Sequence, residues 1–291
     1  MVCPKISIVT PVFNQVRYIE ETIKSILDQG YPNLEYIIID GGSTDGTVDI
    51  IKKYESQLAY WVSEPDHGLY DALQKGFDHS TGDIMAWLNA DDLYVNGCLK
   101  NVANVFENHK EINWLTGTHT HCDSNGNILY NWPGRRFCKY HFLMRDYQWI
   151  GQENTFWRRS LWERAGSRLA VEMRLAGDFE LWLRFFNYEP LYYVKTSFGV
   201  YRRREGQLSA EMEKYTEEVD EVYSCLDISA EDQKTIDTYR RKKKRALAMN
   251  KLRFVNGEKM VRMRSFEKKH FFVPQLLAWN NEIQGFGFVD E

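Results

Sequence analysis

The sequence predicts an α/β fold in which a mostly parallel sheet carries helices on both faces. Three observations predict it. Short runs rich in β-branched residues recur along the first hundred positions, helical runs of about ten residues separate them, and polar, glycine-bearing turns close the strands. The 291 residues suffice for one large α/β domain or two of ordinary size. With 43% hydrophobic and 27% charged residues, seven prolines and 19 glycines, the chain is neither collagen-like nor low-complexity nor mostly disordered.

Residues 5–10 form the first strand-like run, and residues 18–29 carry Ile19, Ile23, Ile26 and Leu27 at helical spacing. Residues 34–40 (LEYIIID) read as a second strand and residues 47–54 as a second helix, with Val48, Ile50 and Ile51 apolar. A third strand over 58–62, a third helix over 69–77 and a fourth strand over 83–88 follow. Beyond Asp92 the pattern changes. Residues 98–106 read as a helix, and residues 112–121 and 127–132 as a hairpin around Asp123-Ser124-Asn125-Gly126, a turn-forming cluster. Residues 179–186 form an aromatic helix after Gly177-Asp178, with a strand near 198–201. From Ala210 the chain is mostly charged helix.

Charge and cysteine content narrow the function classes. The formal net charge of −4 averages two unlike parts: residues 240–272 hold thirteen Lys and Arg against Glu258 and Glu267, whereas residues 1–239 hold 24 bases and 36 acids. An acidic body argues against nucleic acid as the partner, because phosphate binding needs a basic face. The run RRKKKR at 240–245 reads as a solvated helix face or as a contact for an anionic membrane surface. Cys3, Cys98, Cys122, Cys138 and Cys225 are scattered without a CxxC pair, so neither a disulfide framework nor a zinc ribbon is expected, and the expected setting is a reducing cytoplasm. No apolar run approaches the roughly 18 residues that cross a bilayer, and because residues 1–5 lead directly into a strand-like run no signal peptide is expected.

In an open parallel sheet, ligands bind beyond the carboxyl ends of the strands. Three such ends are polar: Thr10-Pro11-Val12-Phe13-Asn14, Asp40-Gly41-Gly42-Ser43-Thr44-Asp45-Gly46-Thr47 and Asn89-Ala90-Asp91-Asp92. The second lacks the glycine spacing of a dinucleotide fingerprint, and Thr47-Val48 after Gly46 breaks a P-loop. Ser43, Thr44 and Asp45 suit a cap for the next helix, while Asp40 adds a carboxylate placed to accept hydrogen bonds from a base or ribose. In the third loop two adjacent carboxylates repel one another, which points to a cation or basic ligand. Hard ions such as Mg²⁺ and Mn²⁺ take such oxygens and bridge them to diphosphates; a helix cap is the plainer alternative.

In order, these loops resemble the nucleotide-binding half of inverting family 2 glycosyltransferases with the GT-A fold, a Rossmann-like, mostly parallel central sheet flanked by helices. The matching stretches are SIVTPVFN (7–14), IDGGSTDGT (39–47) and WLNADDLY (87–94). SEPDHGLYDALQKG (63–76) and TGD (81–83) resemble a colanic-acid-type branch that assembles bacterial polysaccharides. The resemblance covers roughly residues 4–208. It divides the chain into a catalytic domain, 1–208, with a nucleotide-binding half 1–95 and an acceptor half 96–208, and a basic, mostly helical extension, 209–291. It implies that Thr10, Pro11 and Phe13 wall the base, that Asp40 binds uracil and ribose, and that Asp66 and Lys75 flank the donor sugar or diphosphate. Asn89-Ala90-Asp91-Asp92 resembles the family's metal-binding DxD with Asn89 in place of its first aspartate. Asp91 would face ribose or metal, and Asp92 would be an added ligand for Mg²⁺ or Mn²⁺.

Inverting transfer needs an acceptor hydroxyl deprotonated as it attacks the anomeric carbon. GDFELWLR (177–184) resembles the family's catalytic-base motif, an acid opening an aromatic helix, which makes Asp178 the base; a helix cap is the alternative. Glu180 and Arg184 fit an i,i+4 pair. QENTFWR (152–158) resembles an acceptor-side strand in which Gln152 and Glu153 hydrogen-bond a sugar and Trp157 stacks on one, although a buried aromatic strand reads the same. YRRREGQLS (201–209) resembles a segment that in relatives carries a histidine near the diphosphate; Arg204 holds that place here, and Arg202 or Arg204 would bind phosphate. His119 and His121 share a strand face, but zinc needs further ligands, so a half-buried pair is expected. No GxSxG elbow supports ester hydrolysis.

Residues 268–279 (KKHFFVPQLLAW) suit packing against the catalytic domain or a second subunit, or contact with an anionic membrane interface. Peripheral attachment at the inner face of the membrane would suit a lipid-linked acceptor. The expected activity is inverting transfer from a nucleotide-sugar, a UDP-sugar, to a glycan or lipid-linked glycan in bacterial surface polysaccharide synthesis. Asn89 and Arg204 motivate the alternative of a degenerate sugar-nucleotide-binding module. A nucleotidyltransferase would want a glycine-rich, basic loop after the first strand.

Overall fold

Seven elements alternate along the first ninety residues: β1 (Ile6–Val12), α1 (Ile19–Leu27), β2 (Leu34–Asp40), α2 (Thr47–Lys53), β3 (Tyr60–Ser63), α3 (Leu69–His79) and β4 (Ile84–Trp87). They are the elements the apolar runs predict, and their strands form a parallel quartet in the order β3-β2-β1-β4. Every residue of β1 is buried, because helices cover both faces of the sheet. The computed structural model describes residues 3–133, 136, 138–146, 149–251 and 276–289.

The chain continues through β5 (Leu93–Tyr94), α4 (Cys98–Asn108), β6 (Trp114–Thr116), β7 (His119–Cys122), β8 (Ile128–Trp132), α5 (Lys139–Leu143), β9 (Phe156–Arg158), α6 (Arg159–Arg164), α7 (Gly177–Phe186), β10 (Tyr192–Val194) and β11 (Gly199–Arg202). The parallel quartet extends into a nine-stranded sheet, β13-β12-β10-β6-β9-β4-β1-β2-β3, in which β9 runs antiparallel to both neighbours. A second sheet has the order β5-β11-β7-β8. The expected strand over 112–121 is two strands in two sheets. Gly117 lies at the crossing, where an added Cβ would sit 2.6 Å from Thr196 O, and Thr118 N bonds that same carbonyl at 2.7 Å. The hairpin turn itself forms as expected, with Asp123 Oδ1 accepting from Asn125 N and Asn127 N.

The last elements are α8 (Met212–Ser224), α9 (Ala230–Lys251), β12 (Leu276–Asn280) and β13 (Gly285–Val289). Beyond its helices, this region adds a hairpin to the large sheet, with β12 parallel to β10. Residues 276–279 of the basic-apolar run are thus a strand, and residues 268–275 lie outside the described residues. Residues 240–245 are exposed on α9. No helix among the described residues is long and apolar enough to cross a membrane.

Two features position the site. The strand order reverses between β1 and β4, which opens a crevice at their carboxyl ends. Behind it lies a core of indoles: Trp182 of α7 stacks on Trp87 at 5.5 Å and on Trp114 at 5.8 Å, with Trp157 edge-on to both Trp87 and Trp182. Four buried tryptophans anchor α7, and cutting Trp182 to Ala would cost about 3–5 kcal/mol. At the opposite strand ends Glu35 accepts from Lys5 Nζ (2.5 Å), Ser7 Oγ (2.5 Å), Thr81 N (2.6 Å) and Thr81 Oγ1 (2.7 Å). The TGD stretch therefore belongs to a structural lock on β1, β2 and β4.

Candidate active site

The loops after β1 and β2 are stitched together. Asn14 takes a left-handed conformation at φ 50°, donates its N–H to Ser43 Oγ at 2.7 Å and accepts at Oδ1 from Thr44 N at 2.9 Å. Asp45 accepts from Val16 N and Thr47 N, which combines the expected turn with a tie to the first loop. Thr10 and Pro11 are buried in β1, whereas Phe13 is 58% exposed at the mouth. Asp40 is fully buried, and its Oδ2 accepts from Gly42 N (3.1 Å), Ser43 N (2.9 Å) and Ser63 Oγ (2.6 Å). Its Oδ1 has no partner. A buried carboxylate oxygen without a donor is costly, so the arrangement suits a ligand N–H or O–H.

Asp66 lies against this loop: a Cβ on Gly41 would fall 2.6 Å from Asp66 Oδ2. Burial, opposed by the Gly68 N–H bond, raises the Asp66 carboxyl. Lys75 pairs with Glu64 at 3.0 Å and Asp71 at 3.5 Å, so its charge is already engaged by acids.

The loop after β4 is tied to the second sheet. Asp92 is buried, with Oδ1 accepting from Arg202 N at 2.9 Å and Oδ2 from Gln152 Nε2 at 2.9 Å. Asp91 Oδ2 accepts from Arg204 Nε at 2.6 Å. Asn89 Oδ1 is buried without a partner. Arg204 engages one oxygen of Asp91, and the unpartnered Asn89 Oδ1 is an oxygen of the kind a hard cation takes. Among the described residues no group of three or more His, Cys, Asp or Glu is arranged to hold a metal.

Asp178 stands in the first turn of α7, one helical turn before Trp182, so the indole core sets its place. It does not cap the helix; Ala176 holds that position. Its Oδ1 accepts from Phe179 N at 2.7 Å and from the Tyr215 hydroxyl at 3.1 Å. The Tyr70 hydroxyl donates to Leu175 O (2.8 Å), accepts from Asp178 N (3.1 Å) and lies 3.4 Å from Asp178 Oδ1. Tyr70 follows Asp66 by four residues, so it links the donor-side loop to Asp178. Burial pushes the Asp178 carboxyl up to about 6 against those hydrogen bonds.

Two expectations are corrected. Trp157 is 0% exposed within the indole core, out of reach of an acceptor sugar. Arg202 is 1% exposed, with Nε on Asp91 O, Nη1 on Ser124 O and Nη2 on Glu21, so it braces the loops and has no free face for a phosphate. Gln152 and Glu153 lie beneath Asp92; Glu153 is buried, bonded by Asn154 Nδ2 and raised by burial. Glu180 and Arg184 form their i,i+4 pair at 2.7 Å, while Arg184 also bonds Arg168 O. His121 stacks on Tyr130 and shares a 2.9 Å hydrogen bond with its hydroxyl. Tyr70, Tyr215 and Gly177 went unrecognised at the sequence level. Gly177 is the legible one in hindsight, because a Cβ there would lie 2.9 Å from the Tyr70 ring.

The family described as Glycosyl transferase family 2 matches residues 7–163. An uncharacterized glycosyltransferase of Mycobacterium tuberculosis is 40% identical over 92 residues, 31% of this chain and 35% of that one. The putative teichuronic acid biosynthesis glycosyltransferase TuaG of Bacillus subtilis is 39% identical over 92 residues, 31% of this chain and 36% of that one. The match thus spans about a third of the length of these curated relatives. In fold the chain resembles S. aureus TarS 1-349 in complex with UDP-GlcNAc, at TM-score 0.64 and 18% identity over 80% of this chain and 70% of that one.

Proposed function

This chain belongs to glycosyl transferase family 2, and we propose that it transfers a sugar from a UDP-sugar to a hydroxyl of a glycan or lipid-linked glycan, with inversion, in bacterial surface polysaccharide assembly. Asp178 is the observation that carries this reading: a carboxyl held by α7, linked through Tyr70 to the donor-side loop and titrating near 6, is suited to take a proton at neutral pH. The acceptor O–H proton passes to the Asp178 carboxylate. The freed oxygen bonds to the anomeric carbon from the face opposite the nucleotide, and the bond from that carbon to the diphosphate breaks, its electron pair leaving with the diphosphate.

Asp40 Oδ1 supports the nucleotide assignment, since uracil N3–H or a ribose hydroxyl supplies the donor it lacks. Thr10, Pro11 and Phe13 would wall the base. Asp66 would approach the donor sugar, with Lys75 held behind it by Glu64 and Asp71. Arg204 places a guanidinium beside Asp91, where phosphate oxygens can take its remaining N–H groups. Mg²⁺ or Mn²⁺, when bound, would neutralise the leaving diphosphate as a Lewis acid, held by Asp91 and Asn89.

Calorimetric titration of UDP, GDP and dTDP, with and without Mn²⁺, into wild type and Asp91→Ala tests the donor site. UDP is expected to bind most tightly, with Mn²⁺ strengthening it in wild type and not in the variant. A chain that binds none of the three nucleotides refutes the transferase reading. Binding indifferent to Mn²⁺ and to Asp91 removes the ion and leaves the diphosphate to Arg204.

A further inference from the structure

The second sheet turns one face to the core and leaves the other open. Thr120 of β7 and Val200 and Arg202 of β11 are buried, whereas the residues that alternate with them face the other way. Tyr201, His121 and Tyr130 lie side by side across β11, β7 and β8, and Trp132 follows two residues along β8. Their rings form a row: Tyr201 to His121 at 4.9 Å, His121 to Tyr130 at 4.6 Å, and Tyr130 to Trp132 at 6.2 Å. Trp132, at the end of the row, is 51% exposed, and among the described residues Tyr130 is its one ring contact. Arg203 continues the same face beyond Tyr201, with its guanidinium carbon 5.6 Å from the centre of the Tyr130 ring. It too is exposed. Glu21 and Asp91 are taken by Arg202 and Arg204, and among the described residues no carboxylate pairs with Arg203. Burial, with the Arg203 charge beside it, pushes the His121 imidazole down to about 4, so at neutral pH the positive charge over Tyr130 is that of Arg203. The face adjoins the candidate active site. Arg204, the next residue, bonds Asp91 at 2.6 Å, and burial together with the charges of Asp92 and Asp91 raises the Tyr201 hydroxyl to about 12.

Rings and a guanidinium on one open surface have a definite ligand chemistry. The C–H face of a pyranose ring is apolar and packs on an aromatic face. A guanidinium takes a carboxylate through two parallel N–H bonds. A hexuronate carries both features, a pyranose ring with a carboxylate at its edge. We propose that Trp132, Tyr130 and Arg203 form a subsite for a hexuronate ring of the acceptor glycan, with the sugar lying on Trp132 and its carboxylate meeting Arg203. Tyr130 sets the spacing, because its ring meets both the indole and the guanidinium. A neutral hexose would stack equally well but would leave Arg203 without its anion, so the face discriminates by charge. The subsite deepens the transferase reading and rests on it, since it takes its ligand to be the glycan that receives the sugar.

Saturation-transfer NMR on the full chain with UDP bound tests it, with the methyl glycosides of glucuronate and galacturonate set against those of glucose and galactose. At least one uronide is expected to bind about tenfold more tightly than its neutral counterpart, the value of one charge-assisted pair. Arg203→Gln removes that difference. Trp132→Ala weakens uronide and neutral glycoside alike by about fivefold, and Trp132→Phe recovers part of the loss. UDP affinity measured by calorimetry stays at the wild-type value in all three variants, which shows that each is folded. Equal binding of uronides and neutral glycosides, binding indifferent to Arg203→Gln or to Trp132→Ala, or no saturation of any probe overturns the subsite and leaves the donor reading standing. UDP-glucuronate that binds more tightly than UDP-glucose in wild type, and loses that advantage in Arg203→Gln, places the carboxylate on the donor and overturns the acceptor assignment. Absence of UDP binding in wild type overturns the donor reading, and the subsite with it.

Discussion

Replacing Asp178 by Asn is expected to remove transfer while stabilising the fold above pH 6. Burial raises the carboxyl from 3.8 to about 6 although Phe179 N and Tyr215 hydrogen-bond the charged form. A folded pKa above the unfolded one means that the native state holds the proton more tightly. Stability is then highest below about pH 4 and declines as pH rises through 6, where the buried group must ionise. A displacement of about two units corresponds to about 3 kcal/mol at pH 8, and partial exposure of this half-buried residue discounts it to about 1–2 kcal/mol. Asparagine cannot ionise, and its amide oxygen can still accept from Phe179 N. The assay is thermal unfolding followed by circular dichroism at pH 4 and pH 8, with roughly 2–4 °C expected per kcal/mol in a chain of this size. The variant should match wild type at pH 4, melt several degrees higher at pH 8, and lose about 10²–10⁴ in transfer rate. Wild-type kcat/KM should rise with pH through a midpoint near 6. A variant that melts lower than wild type by the same margin at both pH values, or a flat profile from pH 5 to 8, refutes the reasoning, because Asp178 would then be an ordinary structural acceptor.

Asp40→Asn should weaken UDP binding about 10- to 100-fold by calorimetry: the three donors on Oδ2 demand the amide oxygen, which turns the NH₂ toward the ligand N–H. Glu35→Gln should lower stability by about 3 kcal/mol at pH 7, from a carboxyl lowered from 4.5 to about 2. Because that pKa is depressed, the contribution is complete above pH 4.5 and is lost as pH falls toward 2, so denaturant curves of variant and wild type should converge in acid while UDP binding at pH 7 is unchanged. Gly177→Ala should cut turnover by about tenfold or more with little loss of UDP affinity, because its Cβ displaces the Tyr70 ring beside Asp178; equal turnover would show that Tyr70 does not aim the base.

The first four strands and three helices were legible because their apolar periodicity is local: a run of β-branched residues is a strand, and one at 3.6 spacing is a helix, whatever it later packs against. The polar loops that begin at Asp40 and Asn89 were equally legible as the ends of buried strands, and Asp178 as an acid opening an aromatic helix, because those positions too are set by local pattern. Trp157, for which a buried strand stood beside the sugar-stacking reading, and Arg202, expected on phosphate, were not decided by sequence for the converse reason. An aromatic or basic side chain looks alike whether it faces solvent or core, and only the packing of Trp182 between neighbouring indoles, or of Arg202 under Asp91, decides. The break of residues 112–121 at Gly117, and the return of residues 276–289 to the sheet, are non-local pairings with no trace in a window of sequence.

Sequence alone determined the element types along the first ninety residues, the parallel quartet that they form, and the chemistry available at its strand ends, because each is set by residues a few positions apart. Tertiary structure alone decided which carboxylates remain open. Asp92 spends both oxygens on Arg202 N and Gln152, while Asp40 keeps one free. It also decided that a tyrosine from α8, 37 residues further along the chain, reaches Asp178. Hydrogen-bond capacity is used up by whichever groups folding brings near, and that is a property of three-dimensional neighbours that no local pattern encodes.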